Sequence, residues 1–398
     1  MFVRPTLLPG AHSLRLRCLG AAVLLGCLAQ LQAAQSYSYV KVFDGGSAGD
    51  AHSYRIPSIV RTTNGTLIAF AEKRKFNNTD WGDINLVCKR STNNGSSWGG
   101  EIEVEGIGPG SWTNPTAVVN TKSGSANYGR VWVFFNWHSD AHSDMSTIGP
   151  GDRKTYSAYS DDHGASWSTP VDRTATLKPA SMAWDAAGPG VGIQTTQANP
   201  GRLIIPATGR NIYSDNYGAT WTYSTVPGGT GESTIVECLG GDLYRNDRPV
   251  SSQWDLSKRR RISYASNIAS WTDSFDSDPD LLDPKCEASI LRYNFDAPDR
   301  IIFLNPASTV TRSKMRVRIS YNDGSTWPIS RALWPALTEQ QCIDQGKGGY
   351  SSMTKTADFH VGALVEINEN PGSSSTSHRS IEFHKFNLEW IRNGAPDP

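Results

Sequence analysis

Short runs in which apolar and polar residues alternate recur along the chain. Ile84-Asn-Leu-Val-Cys-Lys-Arg-Ser91 and Lys314-Met-Arg-Val-Arg-Ile-Ser320 are two of them, and each leads into a segment rich in Ser, Asn, Asp and Gly. Alternation sends one set of side chains into a core and the other toward water, as in half-buried β-strands, and the polar segments read as turns. Heptads and 3.6-residue stripes do not stand out, so long helices are not expected. One longer apolar stretch, Cys18–Ala29, is shorter than the roughly 20 residues a membrane helix needs. Arg4, Arg15 and Arg17 precede it, and the small residues Ala33 and Ala34 follow. That order is the form of a signal peptide. The expectation is a leader over residues 1–34 and a secreted, extracellular β domain over 35–398.

The turn segments repeat one phrase. Ser91-Thr-Asn-Asn-Gly-Ser-Ser-Trp98 returns as Ser160–Trp167, Ser214–Trp221 and Ser320–Trp327, with starts 69, 54 and 106 residues apart. A degraded copy, Ser263–Trp271, falls inside the longest gap and keeps the tryptophan without the glycine. The residues after the leader, about 364, hold about six units of roughly 60. Asn93, Asp162, Asn216 and Asn322 can accept hydrogen bonds from turn amides, and the glycine two positions later tolerates a positive φ. Units of this length built from short strands predict an all-β fold, a six-bladed β-propeller of four-stranded antiparallel blades. The phrase resembles the Asp box of the sialidase superfamily, with Asn at the usual Asp position in three of the four copies.

Composition narrows the class. Lys+Arg and Asp+Glu both number 38, so no net charge favours a nucleic acid or an anionic membrane as partner. Three sequons, at Asn64, Asn77 and Asn94, offer glycan attachment points in a secreted protein. Cys88, Cys238, Cys286 and Cys342 follow the leader, and in an oxidising compartment they are expected to form disulfides, with the pairing left open. No CxxC and no His/Cys cluster points to a metal.

Candidate chemistry is scattered roughly once or twice per unit, as a site assembled over a central channel requires. Tyr54-Arg55-Ile-Pro57 resembles the sialidase F/Y-R-I-P motif, whose arginine grips the substrate carboxylate. Asp80, 25 residues later, matches the family's acid/base aspartate, with Asp83 as the alternative; Arg74 matches an arginine near the sugar 4-hydroxyl. Glu232 in "GESTIVECLGGDLYRNDR" takes the place of the glutamate that activates the nucleophile, and Arg248, sixteen residues on, that of the second carboxylate arginine. Arg245 and Glu237 lie in the same stretch, the second as a structural acid or part of an outer site. Arg312, after Asn305-Pro306, resembles the third arginine, with Arg316 and Arg318 as alternatives, and Tyr350 in "GKGGYSSM" resembles the nucleophilic tyrosine. Asn114, before Pro115, occupies a position where sialidases commonly carry Asp. Trp137, His138, Met145 and Ile148 either shape the pocket around C5 of the sugar or pack within a blade.

The resemblance covers about residues 40–390 and implies an exo-α-sialidase working without cofactor or metal. Arg55, Arg248 and Arg312 would bind the substrate carboxylate with planar, permanently charged forks. Arg74 and Asn114 would contact the sugar hydroxyls. Tyr350 would attack, Glu232 would take its proton, and Asp80 would serve as acid and then base, the tyrosine variant of retaining glycoside hydrolysis. Implied partners are sialylated glycans, with N-acetylneuraminic acid or 2-keto-3-deoxynononic acid as the sugar, and a monomer is expected. A sialic-acid-binding lectin of the same fold would need the arginines and not the Asp80, Glu232, Tyr350 set. A trans-sialidase would share every residue.

Overall fold

Every intact copy of the repeated phrase closes on itself in the same way. The computed structural model describes residues 33–46, 50–142, 145–368 and 378–398. In the first copy Gly95 N donates to Ser91 Oγ at 2.9 Å and Ser97 N donates to Asn93 Oδ1 at 2.9 Å. The copies starting at Ser160, Ser214 and Ser320 repeat both bonds. Gly95, Gly164, Gly218 and Gly324 have φ of 82, 80, 86 and 86°. A Cβ at these positions would overlap Phe383, Ile68, Trp132 or Tyr244 respectively, side chains of a neighbouring blade. Glycine is thus required twice over, by backbone conformation and by close approach.

The tryptophans complete the clasp. Trp98 stands edge-on to Phe383 with centroids 5.3 Å apart, Trp167 to Phe70 at 5.3 Å, and Trp221 to Phe134 at 4.7 Å. Such pairs add about 0.5–1.5 kcal/mol each beyond the area they bury. The phrase therefore fastens one blade to the next and carries no chemistry. In the degraded copy the turn has become a short 3-10 helix, Ile268–Ser270, capped by Asn267. Trp271 stays buried there, its Nε1 donating to Ser263 Oγ at 2.9 Å.

The fold is an all-β propeller of antiparallel four-stranded blades. Four blades are separate sheets, beginning at the inner strands Ile193–Gln194, Ile235–Glu237, Ser289–Asn294 and Lys347–Lys355. The last of these takes its outermost strand, Tyr37–Phe43, from the start of the domain, where it pairs with Ser380–Phe386. That pairing ties the two ends of the domain together. The strands expected for the other two blades, from Ser53–Arg61 to Val171–Asp172, lie in one nine-stranded sheet. Ile84–Ser91 and Ser111–Val119, its two halves' neighbouring strands, meet through a single parallel pair, Ile84 with Ser111. Six blades are thus drawn as four sheets and a fused pair.

One expectation is corrected. Cys88, Cys238, Cys286 and Cys342 are all buried free thiols, so among the described residues no disulfide forms. They act as small apolar core groups, the usual behaviour of an unpaired buried cysteine. The expected leader, save its last two residues, lies outside the described residues. No helix among the described residues is long and apolar enough to cross a membrane.

Three inner strands break their ladder near their first residues. Register shifts fall between Arg55 and Ser58, between Thr113 and Thr116, and between Lys347 and Ser351. In the first two the residue before a proline is left-handed, Ile56 at φ 57° and Asn114 at φ 59°. Proline has no N–H to give the ladder, so pairing lapses there and the strand can bulge. A β-branched residue at positive φ is strained, and such strain persists only where the surroundings fix it. Ile56 is fixed by its N–H, which donates to Glu366 Oε1 at 2.8 Å. Each bulge turns a polar side chain out of the sheet at the same end of the central channel.

Candidate active site

That end of the channel holds a cavity of about 400 Å³. Its lining includes Arg55, Arg74, Asp80, Asn114, Glu232, Arg248, Arg312 and Tyr350, so all eight residues singled out from the sequence converge. None of the alternatives does. Asp83 pairs with Lys75 at 2.9 Å, Arg245 is buried against Asp247 at 2.8 Å, and Arg316 and Arg318 bond to Ser330 and Asn305. Glu237 is a structural acid, holding the amides of Thr196, Gln197 and Ala198.

The three guanidinium groups surround one ring. Arg55 and Arg312 lie 5.4 and 5.3 Å from the centroid of Tyr350, and Arg248 Nη1 donates to the Tyr350 hydroxyl at 2.6 Å. They differ in how they are held. Arg55 is gripped by the buried Glu366, with Nε to Oε1 at 3.1 Å and Nη2 to Oε2 at 3.2 Å. Burial alone would raise the Glu366 carboxyl, but Arg55 outweighs it and holds the group well below the usual carboxylate range. Arg248 leans on Glu232 at 2.6 Å. Arg312 makes no ion pair with any described carboxylate, leaving its fork available.

Tyr350 is 5 % exposed, with Ile56 and Cys286 packed against it. Its hydroxyl donates to Glu232 Oε1 at 2.5 Å. Burial raises this phenol well above its ordinary pKa, and Arg248 pulls in the opposite direction. Across the pocket, Asp80 is half exposed and accepts from Arg74 at 2.9 Å and Arg55 at 3.4 Å. Partial burial would raise its carboxyl, but Arg74 and Arg55 prevail and lower it to about 2. Arg74 is itself buried, with Nε and Nη2 on Glu72 Oε2 at 3.0 and 2.5 Å.

Asn114 faces a cation that sequence reading did not find. Arg153 is fully buried and donates to Asn114 Oδ1 at 2.6 Å, Thr113 Oγ1 at 2.7 Å and the Asp185 carbonyl at 2.5 Å. His138 Nδ1 lies 2.5 Å from its Nη1, and the ring of Trp184 covers it at 4.1 Å. Asp185 is already committed to Arg210, through bonds of 2.7 and 2.9 Å. Burial therefore lowers Arg153 to about 10. Of the four residues expected to shape the pocket or pack, His138 supports Arg153, Trp137 packs within the blade, Ile148 is buried outside the pocket lining, and the side chain of Met145 lies outside the described residues. Arg153, Trp184, Glu72 and Glu366 were missed. Only Glu366 had a local signal, a lone acid in the apolar strand Val361–Ile367.

The chain resembles known proteins over most of its length. Residues 65–363 match the family described as a BNR repeat-like domain. Over 367 residues the chain is 42% identical to an exo-alpha-sialidase of Aspergillus fumigatus, covering 86% of each protein. It is 41% identical over 368 residues to an exo-alpha-sialidase of Arthroderma benhamiae, covering 86% of this chain and 85% of that one. The solved Hadza microbial sialidase Hz136 superposes with a TM-score of 0.71 at 25% identity, over 86% of this chain and 67% of the other. With such relatives matched along nearly its whole length, this chain belongs to the exo-alpha-sialidase family of glycoside hydrolases.

Proposed function

We propose that the protein hydrolyses terminal α-linked sialic acids from sialylated glycans and glycoconjugates, with retention at the anomeric carbon, through a covalent intermediate on Tyr350. The observation that carries the reading is the 2.5 Å bond from the Tyr350 hydroxyl to Glu232, enclosed by three guanidinium groups. A sialic acid bears a carboxylate on its anomeric carbon, and Arg55, Arg248 and Arg312 supply the fixed charge to hold it. Charge-assisted bonds of this kind contribute about 1.5–3 kcal/mol each.

The same carboxylate would repel an ionised Asp or Glu approaching the anomeric carbon. A neutral phenol avoids that repulsion and needs a base instead. Tyr350 Oη attacks and its proton passes to Glu232, while Arg248 Nη1, at 2.6 Å, stabilises charge developing on the phenol oxygen. The glycosidic C–O bond breaks, and Asp80 gives its proton to the departing oxygen. Water then attacks the tyrosyl–sugar bond, Asp80 takes the water's proton, and Tyr350 recovers its own from Glu232.

Asp80 sits low in the free pocket because Arg74 and Arg55 face it. A bound substrate carboxylate offsets the field of Arg55 and Arg312, so the carboxyl acquires a proton as substrate arrives. The sugar is N-acetylneuraminic acid or 2-keto-3-deoxynononic acid. A lectin would have no use for the Tyr350–Glu232 pair. The proposed setting is extracellular, on the strength of the leader pattern in residues 1–34. A single chain suffices, since every pocket group named here comes from one chain. The test is proton NMR of early hydrolysis: the α-anomer of the free sugar should appear first, and initial release of the β-anomer sinks the reading.

A further inference from the structure

Tyr350 is held through two consecutive amides, each by a different buried carboxyl group. Its own N–H donates to Glu366 Oε2 at 3.0 Å, and the N–H of Ser351 donates to Glu287 Oε2 at 2.8 Å. Both groups take hold next to the irregularity between Lys347 and Ser351, where the ladder alone does not fix the strand. Glu366 reaches in from the neighbouring strand, Val361–Ile367, and Glu287 from the segment leading into the inner strand Ser289–Asn294 of the adjoining blade. Two separate blades thus set the backbone position of one tyrosine.

The two carboxyls are not equivalent. Glu366 faces Arg55 and is ionised. Glu287 is 3 % exposed, has no cation within ion-pair distance among the described residues, and leaves Oε1 buried without a hydrogen-bond partner. Arg260, a nearby guanidinium, is committed to Asp283 at 3.0 Å and to the Cys286 carbonyl at 2.6 Å. An ionised carboxylate in such a place is heavily penalised, so the group keeps its proton. Burial, reinforced by the charge of Glu232, pushes it the same way.

We propose that Glu287 is a positioning residue for the nucleophile: a neutral, proton-bearing carboxyl that clamps the Ser351 amide and keeps Tyr350 in line with Glu232. The inference rests on Tyr350 being the nucleophile.

The test compares Glu287→Gln and Glu287→Ala on a fluorogenic sialoside. Gln keeps an uncharged acceptor, so kcat should stay within about twofold of wild type. Ala releases the amide, and kcat should fall by about 10- to 100-fold with KM nearly unchanged, as a small misplacement of reacting groups does. The infrared difference spectrum of wild type minus Glu287→Gln at neutral pH should show a protonated carboxyl C=O band. A Gln variant as impaired as the Ala variant, a wild-type kcat in the Ala variant, or absence of the band overturns the proposal. If the Ala variant does not fold, the Gln variant's kcat and the infrared band decide. Failure of the nucleophile assignment is separable, since it appears as an active Tyr350→Phe variant whatever Glu287 does.

Discussion

The Tyr350 hydroxyl donates to Glu232 across 2.5 Å, and Arg248 Nη1 reaches both partners at 2.6 Å. A carboxylate able to take the phenol's proton and a cation able to stabilise a phenolate therefore both touch the Tyr350 hydroxyl. In the proposed mechanism Tyr350→Phe removes the attacking oxygen, and Glu232→Gln removes the base while keeping a hydrogen-bond acceptor. Both variants should lose about 10²- to 10⁴-fold in kcat on a fluorogenic sialoside, with KM changed far less. Wild-type turnover by Tyr350→Phe would take the tyrosine out of the mechanism.

Arg55 and Arg312 face the same ring but are coupled differently to the fold, which separates affinity from stability. Removing Arg55 strands the ionised, buried Glu366, and breaking a buried pair from one side costs about 3–5 kcal/mol. Removing Arg312 strands no described carboxylate. Arg55→Ala and Arg312→Ala should both bind a sialic-acid transition-state analogue much more weakly by calorimetry. Only Arg55→Ala should show a marked drop in Tm. Equal Tm losses in the two variants would contradict the different roles given to their surroundings.

The architecture was far more legible than the supports beneath the site. The box residues announce themselves because each meets a local structural need, whether a turn bond from Ser91 or Asn93, a positive φ at Gly95 or a ring for Trp98 to pack on. Pocket residues such as Arg55 and Asn114 could be placed because the short stretches that hold them, Tyr54–Pro57 and Asn114-Pro115, resemble sialidase motifs. Arg153 and Glu287 carry no such mark. Their importance comes from what they lack among the described residues, an ion-pair partner of opposite charge, and that is a property of three-dimensional packing. The cysteines misled for the opposite reason. Their number fitted a disulfide framework, yet in a core this well packed they serve as buried apolar side chains.

Binding should draw a proton into the site. In the free protein Asp80 is lowered to about 2 against an unfolded value near 3.9, so at pH 5 it is ionised. An anionic ligand that engages Arg55 and Arg312 cancels part of the field that lowers it, and its own charge adds a raising effect. Both changes carry the folded pKa upward, and a group whose pKa rises on binding takes up protons between the old and new values. Titration of a sialic-acid analogue at pH 5 in buffers of different ionisation enthalpy should report net uptake, abolished in Asp80→Asn. Uptake unchanged in that variant assigns the proton elsewhere. No uptake in wild type means that the acid is not armed by binding.

At Asn114 and Arg153 the pocket holds a buried guanidinium against a neutral side-chain amide, at 2.6 Å. Arg153 has already been desolvated, so a carboxylate at position 114 would bring attraction without a second arginine desolvation. At an effective dielectric of about 20 that attraction is about 6 kcal/mol, against several kcal/mol to desolvate the new carboxylate. Glu72 accepts from the backbone N–H of Asn114 at 2.9 Å and would repel a charge there, but Arg74 neutralises it from 2.5 Å. The left-handed backbone at 114 suits Asp as well as Asn. Asn114→Asp should therefore stabilise the unliganded protein by about 1 kcal/mol, a rise of a few degrees in Tm by calorimetry. Asn114→Ala should lower Tm by leaving Arg153 short of an acceptor. A lower Tm in the Asp variant would mean that the repulsion from Glu72 and the cost of desolvation outweigh the new ion pair.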